Sequence, residues 1–168
     1  HGNAEVAEAL AAQARTLALA PFSVFVSEPA LRLAARLARY TPGDLDHVVF
    51  TSGGSEAVEV AIKLARQYWV EVGRPTKWKV IGRWQSYHGN TLGALSVGGN
   101  RPRRRPYLPL LLDLPKIPPC YPYRCPPDVP PAEWGPRGAD ALEAAILAAG
   151  PDSVAAFIAE PVVGATLG

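Results

Sequence analysis

Twelve of the chain's 18 prolines fall within the 35 residues from Pro102 to Pro136, and this crowding limits where regular structure can form. Proline fixes φ and has no N–H to give to a helix or a ladder, so such a stretch is kept out of helix interiors and central strands. It is expected to be an irregular arm laid over other surface, or a mobile excursion. The periodic segments lie mostly on either side of it.

On the amino-terminal side, Val6, Leu10, Ala14 and Leu17 recur at helical spacing from about Ala4 to Leu19, and Pro21 ends the pattern. A second helix is predicted from Ser27 or Glu28 to about Tyr40, with Pro29 in its first turn, where a missing N–H costs little. Thr41-Pro42-Gly43 marks a turn. The short β-branched run His47-Val48-Val49-Phe50-Thr51 suits a buried strand and leads directly into Gly53-Gly54. The clearest helix follows. Val58, Ala61, Ile62, Ala65, Trp69 and Val72 form one apolar face, with Glu59, Lys63, Arg66 and Glu71 mostly off it, and Gly73-Arg74-Pro75 closes it.

Lys79–Gly82 is a second strand candidate. An Ala-rich helix from about Ala139 to Ala149 leads to a third, Ser153–Ala159. Strands alternating with helices predict an α/β domain with a mainly parallel sheet. With 168 residues, 48% of them apolar, the chain is long enough for one domain with a real core.

Charge sets limits on partners. Seventeen Lys and Arg against 15 Asp and Glu give no general field for nucleic acid or an anionic membrane. The one basic run, Arg101 to Arg105 broken by Pro102, reads as a solvated arm or a contact to a part of the protein outside this chain rather than a nucleic-acid tether. Cys120 and Cys125 imply no disulfide framework, and His1, His47 and His88 lie too far off to complete a zinc motif, so no metal is expected. No apolar run approaches the roughly 20 residues that span a bilayer, and no charged leader is visible, so a cytoplasmic protein is expected. The start at His1, the lack of Met and the Gly-rich ending suggest a piece of a longer protein.

Three loops carry candidate chemistry. Thr51-Ser52-Gly53-Gly54-Ser55-Glu56-Ala57 sits where a strand candidate meets a helix start, so free N–H groups and the positive end of the helix dipole converge on an anion site. The plain alternative is an N-cap in which Ser52 or Ser55 satisfies the orphan donors. Neither the P-loop nor the dinucleotide fingerprint is present. Arg83-Trp84-Gln85-Ser86-Tyr87-His88-Gly89-Asn90-Thr91 follows the second strand candidate, and Glu160-Pro161-Val162-Val163-Gly164-Ala165 follows the third. Ligands in open parallel sheets gather outside the carboxyl ends of strands, so the three loops can share a site. Equally, Tyr87 can be core, His88 a turn cap and Glu160 a solvated strand end.

In this order and rough spacing, with Lys63-Leu64-Ala65-Arg66 between them, the motifs resemble the class-III, pyridoxal-phosphate-dependent aminotransferases. The opening His1-Gly2-Asn3 with Val6, Ala9 and Gln13 resembles that family's early helix. The resemblance implies the first half of the large domain of a fold-type-I enzyme, a partial three-layer α/β sandwich with a mainly parallel sheet. Residues 1–168 would form a partial cofactor-binding domain with the proline-rich arm at about 102–136. Pyridoxal phosphate would be held with Gly54 and Ser55 on its phosphate, Tyr87 stacked over its ring, His88 beside it and Glu160 in a supporting role. The substrates would be an amino donor and a keto-acid acceptor, and the full-length protein a homodimer with active sites at the subunit interface. Val163-Gly164-Ala165 looks closer to omega-amino-acid and amine transaminases than to other members. The Schiff-base lysine and the pyridinium aspartate are expected beyond Gly168, since Lys63, Lys77, Lys79 and Lys116 occupy no matching context. The chain alone would then have no turnover. An aminomutase, racemase or decarboxylase would show the same loops. From other classes, a non-catalytic α/β phosphate- or nucleotide-binding module and a bare interaction fragment stand as alternatives.

Overall fold

A computed structural model describes residues 1–119 and 121–166. It divides into two compact units, His1–Phe50 and Thr51–Gly168.

The first unit holds helices α1 (Ala4–Thr16) and α2 (Glu28–Ala38). The Asn3 side chain caps α1 by accepting the Val6 N–H at 3.0 Å. The helix ends three residues short of the expected Leu19, because Leu17 turns extended while its N–H still bonds the Gln13 carbonyl. Pro29 lies in the first turn of α2, as its fixed φ favours. Phe22 and Phe50 stack with ring centres 6.0 Å apart.

The expected strand His47–Thr51 is not formed. Among the described residues the first unit holds no strand with which it could complete a ladder, and β-propensity without a partner leaves only extended chain.

The second unit begins with α3 (Gly54–Glu71), whose first turn carries Glu56 where the helix dipole favours an anion. Strand β1 (Lys79–Arg83) follows, then the short helices α4 (Leu92–Val97) and α5 (Arg101–Arg104). A 3-10 turn at Arg105–Leu110 leads to β2 (Lys116–Ile117), and α6 (Pro131–Ala149) precedes β3 (Val154–Phe157). The sheet order is β2-β1-β3, and both pairings are parallel.

Helices cover both faces of this small sheet. On one side, Val80, Val97 and Leu114 pack with Val58 and Ile62 of α3. On the other, Ile81, Ile117 and Val154 pack against Ala141, Leu142, Ala145 and Ile146 of α6. Val80 and Ile81 alternate between the faces, as successive strand residues must. A bulge in β3 sets Lys79 opposite Val154 but Val80 opposite Ala156. The extra residue, Ala155, gives its carbonyl to the Trp69 indole N–H at 2.8 Å.

The stretch from Pro102 to Pro136 holds more regular structure than its prolines led us to expect. Pro102 enters α5 in its first turn, where it loses no bond, and β2 is an edge strand of two residues. Pro136 is the real exception. It lies inside α6 at a cost of about one lost helix bond and some distortion, offset by the carboxyl-terminal half of the helix packing on the sheet. Cys125 is a free thiol near the Val129 carbonyl, and Cys120 lies outside the described residues. Among the described residues no helix is long and apolar enough to cross a membrane.

Three lysines serve this architecture. Lys77 Nζ donates to the Pro151 and Val154 carbonyls and lies 4.7 Å from the Trp69 ring centre. Lys79 Nζ donates to the last carbonyl of α6, and Lys116 Nζ to the Ser96 and Leu114 carbonyls. Lys63 is exposed on α3.

Candidate functional site

Helix α3 starts without a side-chain cap. Gly53 is its N-cap residue, and the first main-chain bond inside the helix runs from the Ala57 N–H to the Gly53 carbonyl. The N–H groups of Gly54, Ser55 and Glu56 therefore stand at the positive end of an 18-residue helix with no acceptor among the described residues. The Ser55 hydroxyl does not turn back to satisfy them. It donates to Asn90 Oδ1 at 3.0 Å and accepts the Asn90 N–H at 3.0 Å. A Cβ built at Gly54 would meet nothing within 4 Å, so the space in front of this helix end is open.

Asn90 belongs to the loop after β1, and Gly89 lets that loop close on α3. Gly89 has φ +131°, a backbone conformation that L residues avoid, and a Cβ there would lie 2.6 Å from the Ser55 hydroxyl oxygen. The same loop is tied at its other side to the segment after β3: the Tyr87 N–H donates to Glu160 Oε2 at 3.0 Å. The three segments singled out in the sequence thus meet, with Ser55 held to Asn90 and Tyr87 to Glu160. Tyr87, Gly89, Asn90 and Arg103 border an open groove of about 470 Å³.

His88 sits inward from this surface. Its Nε2 is buried and has no hydrogen-bond partner among the described residues. Burial holds the imidazole below its ordinary pKa, with Glu160 opposing that shift and Lys116 adding to it, so the ring is neutral at pH 7.

Glu59 and Arg104 escaped the sequence reading. Glu59 was placed on the polar side of α3, yet its Oε1 accepts the Thr91 hydroxyl at 2.5 Å and the Ala94 N–H at 3.1 Å. It caps α4 from another helix, in place of the Thr91 side chain that would ordinarily do so. In the basic run Arg101, Arg103 and Arg105 are exposed, and Arg104 is the departure from a solvated arm. Arg104 is buried and donates to the carbonyls of Leu95, Ser96 and Gly98 at the far end of α4. Helix α4 is thus held by a carboxylate at its positive end and by Arg104 and Lys116 at its negative end, the arrangement its dipole favours. In the sequence, the only hint was that the run ends beside apolar Tyr107 and Leu108.

Packing two cations together has a consequence for pH. Burial first, then Arg104 nearby, lowers the Lys116 pKa to about 8 against the weaker pull of Asp113. Below pH 8 the amine is charged in folded and unfolded chains alike, and above its ordinary value of 10.5 it is neutral in both. Between these limits the unfolded chain holds the extra proton, so Lys116 makes stability rise with pH across that window. Unfolding midpoints of wild type and Lys116→Met should therefore diverge from pH 8 to 10, in favour of wild type. A difference that stays constant over this range would refute the shift.

The sequence matches the family described as Aminotransferase class-III over residues 1–166. It is 47% identical over 165 residues to the probable aminotransferase Rv3329 of Mycobacterium tuberculosis, covering 98% of this chain and 35% of that protein. An (S)-enantioselective omega-transaminase from Thermomicrobium roseum superposes with a TM-score of 0.90 at 40% identity, over 98% of this chain and 37% of the other. The omega transaminase of Pseudomonas jessenii, solved in complex with PMP, gives a TM-score of 0.90 at 32% identity, over 97% of this chain and 36% of the other. The α/β unit with its parallel sheet is thus the fold of these transaminases over the part it covers. The chain spans about a third of the length of the relatives it matches. On sequence and fold together, the chain belongs to the class-III aminotransferases.

Proposed function

We propose that the protein carrying this chain is a transaminase that moves an amino group from an amine or amino acid to a keto acid, with this chain supplying part of its pyridoxal-phosphate site. The observation that carries the reading is the open, uncapped start of α3 facing the loop after β1, with Ser55 and Asn90 locked across the gap. A dianionic phosphate suits that place, because three free N–H groups and a helix dipole meet there without an internal acceptor. Family membership and the PMP complex of the Pseudomonas jessenii enzyme support the same cofactor.

Each residue then has a task. The Gly54 and Ser55 N–H groups bind phosphate oxygens, and Gly54 leaves them room. Tyr87 presents its ring to the heterocycle, and Glu160 holds the Tyr87 main chain in register. His88, neutral and half-buried, offers an uncommitted Nε2 without adding charge. Pyridoxal phosphate, when bound, supplies the electron sink for the transfer. The lysine that carries the cofactor lies elsewhere in the full-length protein, since Lys77, Lys79 and Lys116 are committed to main-chain carbonyls and Lys63 is exposed on α3. Residues 1–168 belong to the cofactor-binding domain of a cytoplasmic homodimer in this reading.

Gly54→Val tests the phosphate assignment in the full-length protein. The added side chain enters open space and should leave the unfolding midpoint within a few degrees of wild type. Pyridoxal-phosphate affinity should fall roughly 10-fold or more, as expected for losing a hydrogen bond to a charged group. Unchanged affinity by absorbance titration would remove phosphate from this helix end. A donor-and-acceptor assay on the wild type reads the activity itself.

A further inference from the structure

We infer that Arg103 is a positioning residue for Tyr87: its guanidinium lies over one face of the phenol ring and fixes that ring for contact on its other face. This rests on the reading of Tyr87 as the residue that meets the cofactor ring. The Arg103 guanidinium carbon is 4.7 Å from the Tyr87 ring centre, within the range of a cation–π contact. Both residues border the same open groove.

Arg103 does not reach Tyr87 by the chance swing of a long side chain. Its main chain is held on both sides. The Asn100 side chain accepts the Arg103 N–H at 3.2 Å and so caps α5. The next residue, Arg104, is buried with its guanidinium on three carbonyls of the α4 end. Just before α5, Gly99 is clamped to the loop that carries Tyr87: the Gln85 N–H donates to the Gly99 carbonyl at 3.0 Å, and the Gly99 N–H to the Ser86 carbonyl at 3.1 Å. Gln85 takes up φ +54°, a conformation unusual for a residue with a side chain, to make this pairing. Tyr87 is itself anchored through its N–H to Glu160.

Two fixed backbones therefore bring one cation to one ring. Arg103 makes no ion pair among the described residues, so no carboxylate there competes for it. Tyr87 is only half-buried, and without the guanidinium its ring would turn more freely about its side-chain bonds. Binding a planar heterocycle would then have to stop that motion, whereas the cation has already stopped it.

A double-mutant cycle on the full-length protein decides the matter, read as the pyridoxal-phosphate dissociation constant and the induced circular dichroism of the bound cofactor. Arg103→Met keeps the length of the side chain and removes the charge, and Arg103→Lys keeps a cation. With Tyr87 present, Arg103→Met should weaken binding roughly two- to fivefold and reduce the dichroic band, and Arg103→Lys should recover part of both. In a Tyr87→Ala background, Arg103→Met should add nothing. If Tyr87→Ala weakens binding but Arg103→Met does not, or acts equally in both backgrounds, the positioning role is overturned. If Tyr87→Ala itself leaves affinity and dichroism unchanged, the fault lies with the reading of Tyr87, and the inference falls with it.

Discussion

Gly99→Ala is expected to cost about 3 kcal/mol of stability, or to prevent the second unit from folding, because its Cβ would overlap the main-chain carbonyl of Arg83. That carbonyl terminates the central strand and cannot move aside as a flexible side chain could. Gly99 is also the residue that pairs with Gln85 and Ser86, so any displacement reaches the loop that carries Tyr87. Gly138→Ala in α6 serves as the control. A Cβ there meets nothing within 4 Å, and replacing a helical glycine should stabilise by up to about 1 kcal/mol. Denaturant unfolding of both variants checks the pair; a Gly99→Ala protein as stable as wild type would show that the close approach is not real.

Glu59→Ala should have the next largest effect. The carboxylate holds the Thr91 hydroxyl and the Ala94 N–H, and a hydrogen bond to a charged group is worth about 1.5–3 kcal/mol, so a loss near the upper end is expected. The loss should be local in its signature. The Ala94 amide should exchange with solvent faster than in wild type, and pyridoxal phosphate should be held less tightly as the loop from Tyr87 to Thr91 loosens. Glu59→Gln keeps an acceptor and should lie between the two. If exchange at Ala94 does not change in Glu59→Ala, the carboxylate is not the cap of α4.

Residues 79–83, 154–157 and 54–71 were legible in the sequence because each makes its main-chain bonds within the chain and shows its period in a few residues. The run from His47 to Thr51 has equally strong strand chemistry, but among the described residues the first unit holds no strand to pair with it, and a strand is a property of a pair. Pro136 misled in the opposite direction, since the weight of its helix is carried by Ala141, Leu142 and Ala145 on the sheet rather than by its own turn. The loops meeting around Ser55, Tyr87 and Glu160 could be anticipated from where strands end. Glu59 and Arg104 could not. A charged residue on a helix or in a basic run looks the same whether it faces water or a distant helix end, and only the tertiary fold tells Glu59 from exposed Lys63 four residues later.

The carbonyls that engage Lys77, Lys79 and Lys116 also decide how this chain answers to amine-directed labelling. An aldehyde followed by borohydride modifies accessible amines first, and among the chain's four lysines the exposed one is Lys63. A cofactor fixed to this chain by reduction would therefore report accessibility, not chemistry. In peptide maps of the full-length protein, label on Lys63 is the background against which label on any other lysine should be read.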